Sequence, residues 1–310
     1  MPRLNGQAVG DTAPFDLADR GLTLGDGLFE TIAVFGGRPA ALGLHLDRLC
    51  AAAAEIRLPV DRAALEREVL ALAGEGDGVI RLTVTRGAGA RGLAIPEASA
   101  PAVIAARGAF PPNALFSPMR LATVAVRRNP SSFVSRAKTL SYLDSVLAHD
   151  AARRAGADDA LMLNTAGRVA STAMANLFAV IGGIVVTPSL DEGVLPGVTR
   201  RLTLAACREQ GIHVEERPLE LHEFVSADAA FAANSVRLLM PVRAIDENVM
   251  PDGTHPIVAR LTAAVAASCG APPPASGAPA KGRVRAGRRS PGRIRSATPA
   301  RRCPSRAFGR

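Results

Sequence analysis

The spacing of apolar residues changes period several times along the chain, and each change marks an element. Leu28, Thr31 and Val34 alternate around Phe29 and Ile32 and run into Gly36-Gly37, which predicts a strand over Gly27–Val34 entering a turn. From Leu42 to Leu58 the apolar positions switch to helical spacing through His45, Leu46, Leu49, Ala53 and Ile56, and Pro59 ends the run. A second helix is expected over residues 61–73, with Asp61 as N-cap and Gly74 as C-cap. Residues 79–85 and 102–107 read as strands, and Phe110-Pro111-Pro112-Asn113 as a linker. Beyond it come a strand over 120–127, a helix from Ser141 to Ala155, and short strands at 159–164, 177–181 and 184–187. The last two are joined by the hairpin pair Gly182-Gly183. A helix over 199–210, a strand over 213–218 and a helix over 256–267 complete the periodic part, and no solenoid repeat is visible. Strands and helices that do not strictly alternate predict an α+β (mixed α/β) fold. We place an N-terminal domain at 1–112 and a larger one at 113–270.

Composition changes this picture at one end only. The net charge of +9 suggests a nucleic-acid binder until it is located: residues 271–310 hold Lys281 and ten arginines with no acidic residue, so residues 1–270 carry −2. Built from Pro, Gly, Ala, Ser and Arg, that segment reads as a disordered tail, and a basic run without a folded recognition element argues against a nucleic-acid partner. No apolar run of membrane-spanning length occurs, and Met1–Asp11 lacks the apolar core of a secretory leader. The four cysteines show neither disulfide nor metal spacing, which fits a reducing cytoplasm.

Two stretches offer chemistry. Gly87-Ala88-Gly89-Ala90-Arg91-Gly92 matches a dinucleotide fingerprint, but Pro96 and Pro101 forbid the helix that must follow, so it reads as a loop with Arg86 and Arg91 as candidate anion contacts. Lys138 stands in Arg136-Ala137-Lys138-Thr139-Leu140-Ser141-Tyr142-Leu143, a stretch poor in charge. An apolar wall there would depress the amine's pKa, as a nucleophilic lysine requires.

Several motifs then occur in order: Asp19 through Thr31 (Asp-Arg-Gly-Leu-Thr-Leu-Gly-Asp-Gly-Leu-Phe-Glu-Thr), His45-Leu46-Asp47-Arg48-Leu49, Lys138 with Tyr142-Leu143, Gly167 through Phe178, Leu195 through Arg200, and Asn234-Ser235. Together they resemble the class IV aminotransferases, pyridoxal-phosphate enzymes of fold type IV that include branched-chain and D-amino-acid aminotransferases and aminodeoxychorismate lyases. The resemblance implies that Lys138 holds pyridoxal 5'-phosphate as a Schiff base and shuttles the substrate proton. It further implies that Arg48, Val198, Thr199 and Ser235 bind the phosphate, and that Tyr142, Ser171 and Thr172 contact the cofactor. Ser171 departs from the pattern, because the family has a glutamate there that pairs with the ring nitrogen. A homodimer in the cytoplasm, amino-acid and 2-oxo-acid substrates, and a substrate contact from Arg86 or Arg91 are further expectations. Transamination of a branched-chain-like amino acid is the leading reaction; release of pyruvate and 4-aminobenzoate from aminodeoxychorismate, and a paralogue with little activity, stay open.

Overall fold

The alternation in the first hundred residues is realised as a six-stranded antiparallel sheet. Its order is Gln7–Ala8, Arg3–Leu4, Ala102–Ala109, Gly78–Thr85, Gly27–Phe35, Arg38–Pro39. The structure, a computed structural model, describes residues 1–251 and 255–274. Because successive strand residues point to opposite faces, Leu28, Ile32 and Val34 share one face with Ile80, Leu82 and Val84. Helices Leu42–Glu55 and Arg62–Ala73 close over that face through Leu46, Leu49, Leu65 and Val69. Removing one such side chain costs about 2–5 kcal/mol, so Leu46→Ala alone would threaten this layer. Asp61 caps the second helix by accepting from Ala63 N at 2.9 Å. The opposite face presents Phe29 and Thr31 beside their partners Thr83 and Arg81.

The later strands form a nine-stranded sheet in the order Val214–Glu216, Ile184–Thr187, Asn176–Ile181, Ala229–Asn234, Leu238–Ile245, Met119–Thr123, Asp159–Leu163, Val169–Ser171, with Asn248–Val249 beside Leu238–Ile245. Ser171 also pairs with Asn176, so the run from Asn176–Ile181 round to Val169–Ser171 closes on itself. Gly182 and Gly183, with φ of 57° and 82°, make the expected two-residue hairpin between paired Ile181 and Ile184. Phe178 and Phe231 stack at 4.8 Å in a core that also takes Ala33 and Phe35 from the first sheet and Leu261 and Val265 from helix Pro256–Cys269.

Three differences from expectation have local causes. The strand expected over 120–127 ends at Thr123, whose N–H and hydroxyl are both taken by the Asp246 carboxylate at 2.7 Å. The strand Leu238–Ile245 departs from expectation because its apolar run Leu238–Val242, with Pro241 inside it, shows no period of two. Val169–Ser171 is too short to carry a pattern. Residues 271–274 are described and form no helix or strand; the rest of the expected tail lies outside the described residues. Among the described residues no helix is long and apolar enough to cross a membrane, and Cys50, Cys207 and Cys269 are free thiols.

Candidate active site

Lys138 is clamped to the first sheet by its backbone. Phe29 N donates to Lys138 O at 2.9 Å and Leu140 N to Gly27 O at 3.0 Å, an isolated bridge that carries the lysine onto the Phe29 face. Its Nζ sits 4.0 Å from the Phe29 ring centroid and donates to Tyr142 Oη at 3.3 Å; the two rings meet edge to face at 5.1 Å. Burial pushes the Lys138 ammonium below its ordinary pKa and Arg48 adds to this, while Tyr142 and Glu30 oppose it. The direction favours the free amine, the nucleophilic form.

A second group of residues sits where strands of the closed sheet end. Helix Val198–Glu209 begins after Gly197 with no capping side chain and no acidic residue in its first turn, so its N-terminus presents partial positive charge to an anion. A Cβ on Gly197 would run into Asn176 Oδ1, and Asn176 Nδ2 donates to Leu195 O at 2.9 Å, fixing the approach. Ser235 follows strand Ala229–Asn234 in a turn held by Asn234 Oδ1, which accepts from Val236 N and Arg237 N at 3.1 and 2.8 Å. Arg48 completes the group. Its Nε and one terminal nitrogen donate to Glu30 at 2.8 and 2.6 Å, its other terminal nitrogen to Pro196 O at 3.2 Å. Glu30 is fully buried and also bonded to His45 Nδ1 at 2.7 Å. Burial would raise its carboxyl, but Arg48 and His45 outweigh that and hold it at about 2.

Lys138, Tyr142, Arg48, Ser171, Thr172, Val198, Thr199 and Ser235 all line one cavity of about 840 Å³. The Thr172 hydroxyl oxygen faces its own turn, accepting from Met174 N and Ala175 N. Ser171 Oγ donates to Thr172 O at 2.8 Å and accepts from Arg128 Nε at 3.1 Å. Arg86 and Arg91, expected as substrate contacts, are not among the lining residues. Arg86 is 1% exposed and structural: its Nε pairs with Asp26 at 2.7 Å and its terminal nitrogens donate to Arg57 O and Ile56 O at 2.9 Å. Arg91 is exposed in its loop. The cavity instead receives Arg81, whose guanidinium lies 3.8 Å from the Phe29 centroid, and Arg128. Sequence reasoning missed both: strand alternation separates Arg81 from Ile80 and Leu82 but does not say what its face meets, and Arg128 lies past the end of regular pairing. Lys138, by contrast, is one of only two lysines in the chain, the other being Lys281.

The sequence model for the amino-transferase class IV family matches residues 27–245. The chain belongs to that family. Among its relatives, a Methanocaldococcus jannaschii protein named "Putative branched-chain-amino-acid aminotransferase" is 35% identical over 80% of this chain and 88% of its own length. The structure of 4-amino-4-deoxychorismate lyase from Pseudomonas aeruginosa is 35% identical, covering 82% of this chain and 94% of that one, with a TM-score of 0.74. The branched-chain aminotransferase of Thermoproteus uzoniensis, solved with norvaline, is 28% identical over 87% and 94% of the two chains, with a TM-score of 0.80. The α+β architecture is thus that of the fold type IV aminotransferases, and the chain is a class IV pyridoxal-phosphate-dependent enzyme. The residues present fit that cofactor. A buried amine inclined to the neutral state shares a cavity with an uncapped helix N-terminus at a glycine that admits no Cβ, the donor set an aldehyde-bearing phosphate ester needs.

Proposed function

We propose that this class IV enzyme is an aminotransferase acting on amino acids and 2-oxo acids with apolar side chains. The observation that carries the reading is Arg81. Its guanidinium stacks on the same Phe29 ring as the Lys138 amine and makes no hydrogen bond or ion pair among the described residues, so it is free to take a substrate carboxylate close to the reacting amine. Phe29, Val134, Met174 and Val236 supply apolar lining for a branched side chain.

Bound pyridoxal phosphate supplies an aldehyde that captures the substrate amine and a ring that accepts electrons as the Cα–H bond breaks. Arg48, the Val198 and Thr199 N–H groups and Ser235 would hold the phosphate. Lys138 Nζ would take the proton from the substrate Cα and deliver it to the carbon that carried the aldehyde, and Tyr142 Oη would keep the nitrogen in place between the two transfers. The exposed stripe Leu143, Val146 and Leu147 on helix Leu143–Arg154 supports a homodimer, which sedimentation of the purified protein would test.

The lyase reading rests on the Pseudomonas relative, which matches as high an identity as any aminotransferase named above. Parallel incubations separate the two. Amino transfer from L-leucine to 2-oxoglutarate, with D-alanine as a stereochemical control, is expected; release of pyruvate from aminodeoxychorismate without amino transfer would overturn the aminotransferase reading. Arg81→Gln should raise KM for the amino donor about tenfold while leaving pyridoxal-phosphate affinity unchanged.

A further inference from the structure

Positive charge dominates the cavity. Arg48, Arg81, Arg128, Lys138, Arg153 and Arg237 line it against a single carboxylate, Asp158. That carboxylate is already engaged at the rim: one oxygen accepts from Arg120 N at 2.8 Å and the other lies 3.6 Å from Arg153. Glu30, behind the wall, gives both oxygens to Arg48 and His45.

Within this cavity Arg128 is held only by neutral groups. Its Nε donates to Ser171 Oγ at 3.1 Å, and one terminal nitrogen to Ser145 Oγ at 3.2 Å and Thr172 O at 3.3 Å. It forms no ion pair among the described residues. Burial lowers its pKa, while Tyr142, Asp144 and Asp159 work the other way. Asp159 gives one oxygen to His149 Nδ1 and Ala160 N while its other buried oxygen has no hydrogen-bond partner, yet it forms no ion pair with Arg128, and a guanidinium stays charged through such perturbations. Ser171 is 6% exposed, with its proton on Thr172 O and a lone pair on Arg128.

We propose that Arg128, oriented by Ser171, forms the wall that meets the ring nitrogen of pyridoxal phosphate and keeps that nitrogen unprotonated, as a hydrogen-bond acceptor. The inference rests on the cofactor reading above and adds the electronic state of the ring. A protonated ring nitrogen is a cation, and no lining carboxylate is free to balance it. Arg128 adds like charge, which lowers the nitrogen's affinity for a proton, while its N–H groups are donors that only an unprotonated nitrogen can accept. The ring then withdraws electrons less strongly, and the burden of Cα deprotonation shifts toward Lys138 as base.

The test loads the full chain with pyridoxal phosphate carrying ¹⁵N in the ring and follows the resonance by NMR across neutral pH. The wild-type resonance should stay at the neutral-pyridine position throughout. Ser171→Glu should move it to the pyridinium position. Arg128→Gln should raise the pH midpoint of protonation by about one unit or more, and Arg128→Lys, which keeps the charge, should bring it back toward wild type. A wild-type resonance at the pyridinium position, or an Arg128→Gln titration identical to wild type, overturns the proposal. A protein that takes up no pyridoxal phosphate overturns the cofactor reading itself, whereas a loaded protein with a protonated nitrogen overturns this inference alone.

Discussion

Two arginines face the same cavity from opposite kinds of surroundings. Arg48 is locked to Glu30, a fully buried carboxylate shared with His45, through two charge-assisted contacts of 2.8 and 2.6 Å. Arg128 rests on two serine hydroxyls and a carbonyl, at 3.1–3.3 Å, and forms no ion pair among the described residues. A buried cation matched by a buried anion is a fixed donor, able to hold a phosphate without moving. One matched only by neutral oxygens keeps its field for whatever enters the cavity. On the two proposals above, the first corner anchors the phosphate and the second controls the electronics of the ring.

Breaking the first corner should have the largest effect. Glu30→Gln leaves Arg48 and His45 facing an amide, and the uncompensated buried charge should cost about 3–5 kcal/mol in urea unfolding and weaken pyridoxal-phosphate binding in a spectrophotometric titration. A loss below about 1 kcal/mol would mean that the corner is not an anchor. Acid should have a comparable effect through the same carboxyl. Its folded pKa of about 2 lies below the ordinary 4.5, so its contribution is complete above about 4.5 and is lost as pH falls through about 2. The loss amounts to about 3 kcal/mol. In Glu30→Gln that part of the acid dependence should vanish, which unfolding curves at stepped pH would read. Arg128→Gln should be milder, about 1–2 kcal/mol, because it removes hydrogen bonds to neutral partners and breaks no direct ion pair. A cost matching that of Glu30→Gln would erase the distinction between the corners.

How far the chain could be read without its structure follows the same division. The residues proposed for the anchoring corner, which the structure brings to one cavity, sit in ordered motifs: Arg48 in a helix with clear periodicity, Val198 and Thr199 after Pro196-Gly197. Their support is not legible that way, since the Glu30–His45 contact joins a strand to a helix and depends on which face of Gly27–Phe35 carries Glu30. Arg81 was hidden by the same ambiguity of face. Arg86 was misjudged because a glycine-rich loop suggested exposure, whereas three hydrogen-bond acceptors on Asp26, Ile56 and Arg57 bury it. Arg128 follows Thr123, where Asp246 ends the strand early, and no local pattern anticipates that a distant side chain will terminate a ladder. The expected fold class held because alternation and helical spacing survive in the core even where boundaries shift.

Lys138 is the residue on which both corners converge, and the scarcity of lysine makes it directly testable. Purified protein saturated with pyridoxal phosphate, reduced with borohydride and mapped by peptide mass spectrometry should carry one pyridoxyl group on Lys138, with Lys281 unlabelled and the visible cofactor band absent from Lys138→Ala. Label on Lys281 alone, or an unaltered band in Lys138→Ala, would contradict the assignment of this cavity as the cofactor site.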